Sequence, residues 1–212
     1  MMPTIFVVDD EPDVRHAVAF ALRQLGHTVA TFADGPTALT AVDAAPADLR
    51  AIFVLDVRME PMSGPAIHDA LIARGLRLRM PVLFLSGQGD IPAVVAAMSK
   101  GAIDFIEKPR IDELVEKMAS AVATEAEWFT ANRRRAFQSA LWDSLSPQQR
   151  RVALRVADGK LNKVIAYELQ VSDRMIEEHR RKVYDKLGVD STAGLATSLA
   201  EMRAGGLNLD DA

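Results

Sequence analysis

The sequence predicts an α/β domain built on a five-stranded parallel sheet, followed by a smaller all-α domain. Five short apolar runs recur across the first 110 residues with amphipathic segments between them, the alternation of strand and helix that covers both faces of a sheet. The inner runs lack polar alternation, as expected of strands that meet helices on either side. Beyond Ile111 the periodicity is helical throughout, and the charge changes sign. Residues 1–124 hold 11 Lys/Arg against 16 Asp/Glu, net −5, whereas residues 132–190 hold 13 against 8, net +5. An acidic domain with one kind of partner and a basic domain with another follow from that split.

The runs 4–8, 28–32, 51–55, 81–85 and 103–106 read as the strands. Segments 11–25, 35–44, 64–73 and 90–99 read as helices; in the first, Val14, Val18, Ala21, Leu22 and Leu25 share one face. No glycine or proline interrupts 111–146, so the last helix of the first domain runs on into a helical linker, with a break expected near Arg133, Arg134 and Arg135. Ser146 followed by Pro147 places an N-cap and a first-turn proline at the start of the next helix. Helices 147–158, 162–169, 173–187 and 192–202 complete the chain, with Gly159 and Gly188 as stops. The expected division is 1–122, a linker over 123–143, and 144–212.

Length and composition narrow the function classes. With 212 residues, 49% hydrophobic and 25% charged, disorder, collagen and one long coiled coil are excluded. The absence of cysteine excludes a disulfide framework, thiolate metal sites and cysteine nucleophiles, and favours the cytosol. The apolar run before Asp9 is too short for a signal segment or a span, so a cytoplasmic protein with no membrane partner is expected.

In an open parallel sheet, chemistry collects beyond the carboxyl ends of the strands. There the first strand carries Asp9 and Asp10, the third Asp56, the fourth Ser86, and the fifth leads through Glu107 to Lys108. Three clustered carboxylates call for a hard divalent cation, Mg2+ or Mn2+, with room for water. A lysine and a hydroxyl opposite that ion suit the oxygens of a phosphoryl group, leaving a carboxylate as nucleophile. Asp56, alone at the end of a central strand, is the best candidate.

The stretches VVDDEP, LDVRMEPMSG, FLSGQGD and GAIDFIEKP resemble the signatures of a two-component response-regulator receiver domain, over residues 3 to 122. That resemblance implies a flavodoxin-like (βα)5 sheet of order 2-1-3-4-5 and Asp56 as phosphoacceptor. It also implies metal ligation by Asp10, Asp56 and the Arg58 backbone carbonyl, with Asp9 acting through water. Ser86 and Lys108 would bind phosphoryl oxygens, Phe105 would be the switch aromatic, and the Lys108–Pro109 peptide would be cis. Arg58 and Gln88 would set how long the phosphoryl group lasts. The loop Met59-Glu60-Pro61-Met62-Ser63-Gly64 departs from the family's usual MPGMSG. Its extra carboxylate either tightens the metal or resists phosphorylation by repulsion.

The basic end carries a short helix, a tight Gln170-Val171-Ser172 connection and a longer helix, the order of a helix-turn-helix. The run LSPQQRRVALRVADGKLNKVIAYELQVSDRMIEEHRRKVYDKLGV resembles the LuxR-type motif, and both modules together resemble the FixJ/NarL class of response regulators. By that resemblance Glu177, Glu178 and Arg181 read bases, while His179, Arg180 and Lys182 are candidate backbone contacts and Asn162 and Lys163 hold phosphates. His179 reads equally as a packed core residue. Gln149 stands where glutamate is usual and forms no ion pair, which is expected to loosen contact with the recognition helix.

The sequence therefore reads as a phosphorylation-controlled DNA-binding regulator and not an enzyme. Its implied partners are a sensor histidine kinase, double-stranded promoter DNA, a second copy when phosphorylated, and RNA polymerase. Phosphorylation would drive dimerisation or free the DNA-binding heads. The alternative is a phosphate sink or protein-binding adaptor with a vestigial head. A free-standing magnesium phosphatase fits less well, since the sequence shows no general acid or substrate cap.

Overall fold

The structure, a computed structural model, describes residues 2–87, 90–108 and 110–209. Strands β1 (Thr4–Val8), β2 (Val29–Phe32), β3 (Ala51–Asp56), β4 (Val82–Ser86) and β5 (Asp104–Glu107) form one parallel sheet of order β2-β1-β3-β4-β5. Helices α1 (Pro12–Gln24), α2 (Gly35–Asp43), α3 (Gly64–Ala73), α4 (Ile91–Ser99) and α5 (Ile111–Asp143) connect and follow the strands. The expected sheet order and the helix between each pair of strands are both present.

Strand periodicity divides the apolar residues between two cores, because successive side chains leave opposite faces. Phe6, Val8, Phe53, Leu55 and Phe84 meet Ile67 and Leu71 of α3 on one face, while Ile5, Val7, Ile52, Val54, Leu83 and Leu85 meet Val18, Leu22, Leu114 and Met118 of α1 and α5 on the other. All six residues of β3 are buried, which makes it the central strand and leaves Asp56 at its end under tight restraint. Each fully buried aliphatic or aromatic side chain here contributes roughly 1.5–3 kcal/mol relative to exposure.

The chain divides into two compact units, 1–130 and 131–212. Helix α5 contributes to both and runs through Arg133–Arg135 without the expected break, as the absence of glycine and proline permits. Up to Thr130 it belongs with the first unit: the buried Glu125 carboxylate pairs with Arg50, which stacks 4.3 Å over the Phe129 ring. From Ala131 it belongs with the second, where Arg134 pairs with Glu201 at 2.8 Å and Arg135 donates to the Gly206 carbonyl at 3.0 Å. These anchors hold the three-arginine stretch helical.

The second unit adds α6 (Pro147–Ala157), α7 (Asn162–Leu169), α8 (Asp173–Leu187) and α9 (Thr192–Ala204) around Trp142, Val152, Ile165, Ile176, Val183, Leu195 and Leu199. Ser146 caps α6 in a capping box with Gln149, and Pro147 opens the helix as the sequence indicated. Gln149 also accepts from Lys186 of α8 at 3.0 Å. Gln149 thus reaches α8 by a hydrogen bond to a charged donor where a carboxylate would form an ion pair.

Gly64, at the start of α3, holds the loop after β3 close to the sheet. A Cβ there would lie 2.2 Å from the Asp56 carbonyl oxygen and 3.1 Å from the Phe84 ring. The Gly64→Ala variant is expected to lose about 2–4 kcal/mol in urea unfolding, since backbone must shift to admit the methyl group.

Candidate functional site

The ends of β1 and β3 place Asp9, Asp10 and Asp56 so that one oxygen from each lies within 4.8 Å of the others. Asp9 is fully buried, Asp56 is 4% exposed and Asp10 faces solvent. Lys108, just past β5, brings its ammonium 2.9 Å from Asp9, 3.0 Å from Asp56 and 3.5 Å from Glu11. Burial lowers the affinity of this lysine for its proton, but hydrogen bonding and attraction to Asp9 and Asp56 outweigh that and leave its pKa raised. Burial pushes Asp56 up to about 6; Lys108 opposes the rise, and the negative charges of Asp9 and Asp10 add to it.

One positive charge does not satisfy this rim. Asp9 Oδ2 is buried and has no aligned hydrogen bond despite its ion pair, so an acceptor remains available toward the carboxylate cluster. Three hard oxygen donors this close together fit a small divalent cation. Ser86 is buried at the end of β4, with its hydroxyl 3.4 Å from the Ile106 carbonyl. The Ser86 carbonyl accepts from the Lys108 backbone N–H at 2.8 Å, which ties the hydroxyl-bearing and ammonium-bearing strand ends together.

Several rim residues had not been singled out from the sequence. Glu11 pairs with Lys108, and Arg15 of α1 donates to the Asp9 carbonyl. Asp90, buried at the start of α4, accepts from Gly87 N at 2.7 Å and from the Arg58 guanidinium, so the exposed Arg58 side chain is drawn toward the loop that follows Ser86. Asp90 stood at a helix start, the only signal it carried; Arg15 carried none. Gln88 and the Lys108–Pro109 bond lie outside the described residues; the cis peptide among them is Glu60–Pro61.

Phe105 is turned outward, 40% exposed, on the edge strand β5. Lys117 of α5 holds it there: its ammonium lies 5.1 Å from the ring centroid, donates to the Phe105 carbonyl and pairs with Asp104 at 2.8 Å. The Asp104 carboxylate also accepts from the Phe105 N–H at 2.8 Å. Side chains thus satisfy both peptide groups of Phe105 at the open edge of the sheet.

In the second unit, α7 and α8 are joined through Gln170 in the left-handed conformation, φ 56°, and Ser172 caps α8. Along α8, Ile176, Val183 and Leu187 are buried and His179, Arg180 and Tyr184 half-buried, whereas Glu177, Glu178, Arg181 and Lys182 are exposed. Glu178 pairs with Lys182 one turn on at 2.6 Å, and this hydrogen bond holds its carboxyl below the usual range. His179 Nδ1 is buried without a hydrogen bond. Lys163 is exposed at the start of α7, and Asn162 is half-buried beside it.

A doubly wound domain with an acidic rim, joined to a helix-turn-helix, defines a regulator that couples a signal to DNA. Residues 5–119 match the response regulator receiver domain, and residues 143–199 match the bacterial regulatory proteins of the luxR family. The chain is 37% identical over 194 residues to the C4-dicarboxylate transport transcriptional regulatory protein DctR of Rhodobacter capsulatus, covering 91% of this chain and 97% of that protein. It is also 37% identical over 193 residues to FixJ of Rhizobium meliloti, covering 89% and 90%. Among solved structures it resembles the response regulator StyR, with a TM-score of 0.82, 32% identity and coverage of 95% and 100%. Full-length FixJ from B. japonicum gives 0.57 and 33%, covering 97% and 98%. The protein belongs to the FixJ/NarL-class response regulators and is a DNA-binding response regulator of a two-component system. A histidine kinase and DNA are the partners that its two modules imply.

The raised pKa of Asp56 sets a sign for stability. The folded state holds this proton more tightly than the unfolded chain, so without divalent cation stability falls as pH rises from about 4 through about 6. Asp56→Asn is expected to be more stable than wild type by on the order of 1–3 kcal/mol at pH 7.5 in chelator, with the gain shrinking toward pH 4. Urea unfolding at both pH values measures it; a gain independent of pH would show that Asp56 ionisation is not its source.

Proposed function

We propose that Asp56 accepts a phosphoryl group from the phosphohistidine of a sensor histidine kinase, and that this switches promoter binding in the cytoplasm. The observation that supports it most is the convergence of Asp9, Asp10 and Asp56 within 4.8 Å, with Lys108 bridging two of them. An Asp56 carboxylate oxygen attacks phosphorus in line, an O–P bond forms as the N–P bond breaks, and imidazole leaves. The Lys108 ammonium pairs with one phosphoryl oxygen and the Ser86 hydroxyl donates to another. Asp10, Asp56 and the Arg58 carbonyl would hold Mg2+ or Mn2+, with Asp9 assisting through water. Such an ion supplies charge neutralisation for the entering phosphoryl group.

Once Lys108 and Ser86 turn to the phosphoryl group, the strand ends that carry them move together, since their backbones are hydrogen-bonded. Phe105, between them and the open edge, turns inward and leaves Lys117. The surface around α4 and β5, which exposes Val95 and Met98, then pairs with a second copy and brings two heads to paired half-sites. A shift of a few kcal/mol in a two-state balance suffices for such a switch. At the DNA, Lys163 and Asn162 hold phosphates, while Glu177, Glu178 and Arg181 face base edges, with Lys182 beside them. Arg58 and Gln88 set how long the phosphoryl group lasts.

Treatment with a small phosphodonor and Mg2+ is expected to give a dimer in sedimentation and at least tenfold tighter promoter binding. Asp56→Ala should show neither change. Equal binding in every sample would mean that the receiver does not control the head, and binding in none would favour the adaptor role. Gln88→Ala should alter the lifetime of the phosphorylated protein severalfold; an unchanged lifetime would remove Gln88 from hydrolysis.

A further inference from the structure

The Arg180 side chain leaves the recognition helix α8 on its half-buried face and is used inside the domain. Its guanidinium donates to Asn162 Oδ1 at 2.7 Å, to the Tyr184 hydroxyl at 3.0 Å and to Thr192 Oγ1 at 3.2 Å. The Tyr184 and Thr192 hydroxyls lie 3.1 Å apart, which closes the network. Asn162 is the first residue of α7 and Thr192 the first of α9, so one planar fork on α8 gathers the starts of two of the helices packed against it. All four residues are half-buried, where hydrogen bonds to a charged donor are worth more than at the surface.

We infer that Arg180, with Tyr184 and Thr192, is a positioning group that sets the rotation of α8 about its axis, and that it is not a phosphate contact. Ile176, Val183 and Leu187 bury the inner face of α8, but apolar burial is non-directional and tolerates a small turn of the helix. Directional hydrogen bonds to fixed points on α7 and α9 do not. Residues four apart, such as Glu177 and Arg181, stand only about 40° apart around a helix, so a turn of that order changes which of them faces a base edge. The network therefore bears on discrimination between DNA sequences, whereas a phosphate contact bears on all sequences alike. Because the fork accounts for the bonds, a lysine of equal charge does not replace it.

The test uses the full-length protein and measures binding to a specific promoter fragment and to a non-specific duplex across a range of salt. Arg180→Lys and the charge-neutral pair Tyr184→Phe with Thr192→Val are each expected to weaken specific binding about five- to twentyfold. Non-specific affinity and the slope of log K against log salt should stay unchanged, since no phosphate contact is lost. The inference is overturned if Arg180→Lys binds as wild type while Arg180→Gln reduces the salt slope by about one, the signature of a phosphate contact. It is equally overturned if the hydroxyl double variant keeps wild-type specificity, or if both duplexes weaken by the same factor. Thermal unfolding of the double variant, which loses only two hydroxyls, distinguishes a misaligned helix from an unfolded domain.

Discussion

Three carboxylates crowded at one end of a parallel sheet are the constraint around which the first unit is arranged. Two of them are buried, and their mutual repulsion is offset in part by the ammonium of Lys108. Such a cluster is costly to stability and persists because the rest of the domain holds it in place. The fully buried β3 fixes Asp56, the close approach of Gly64 fixes the loop beyond it, and two apolar cores fix the strand ends. Under the proposed function a divalent cation would relieve that repulsion, and a phosphoryl group on Asp56 would draw the Lys108 ammonium to its oxygens.

Under the proposed function such a change would reach the sheet edge, because Lys108 is tied by its backbone to Ser86 and β5 lies at that edge. The outward state of Phe105 is held by contacts on its ring and both its peptide groups, from Lys117 and Asp104. These contacts are individually weak, with a cation–π pair at such a site worth about 0.5–1 kcal/mol. Under the proposed function that weakness suits a switch, whose two states must lie within reach of the free energy of one modification.

The second unit solves a different problem, the presentation of a polar helix face with defined orientation. Its apolar core supplies cohesion and the Arg180 network supplies direction. The buried Gln149 joins the capping of α6 to Lys186 of α8 in the same manner. Both are cases in which a residue's chemistry in the sequence suggested one use and its surroundings another.

Much of this was legible in the residues. Strand and helix positions followed from periodicity, because apolar spacing of two or 3.6 residues is a local property, and the rim residues followed from the rule that chemistry gathers where parallel strands end. The sequence by itself determined the two modules, the acidic rim and the helix-turn-helix. Tertiary structure alone decided the pairing of Arg58 with Asp90, the placement of Arg15 behind Asp9, the unbroken course of α5 and the inward use of Arg180. The reason is physical: a long charged side chain can reach several partners from one backbone position, and which it meets is often set by residues distant in the chain, 18 positions away in Arg180–Asn162 and 75 in Arg50–Glu125.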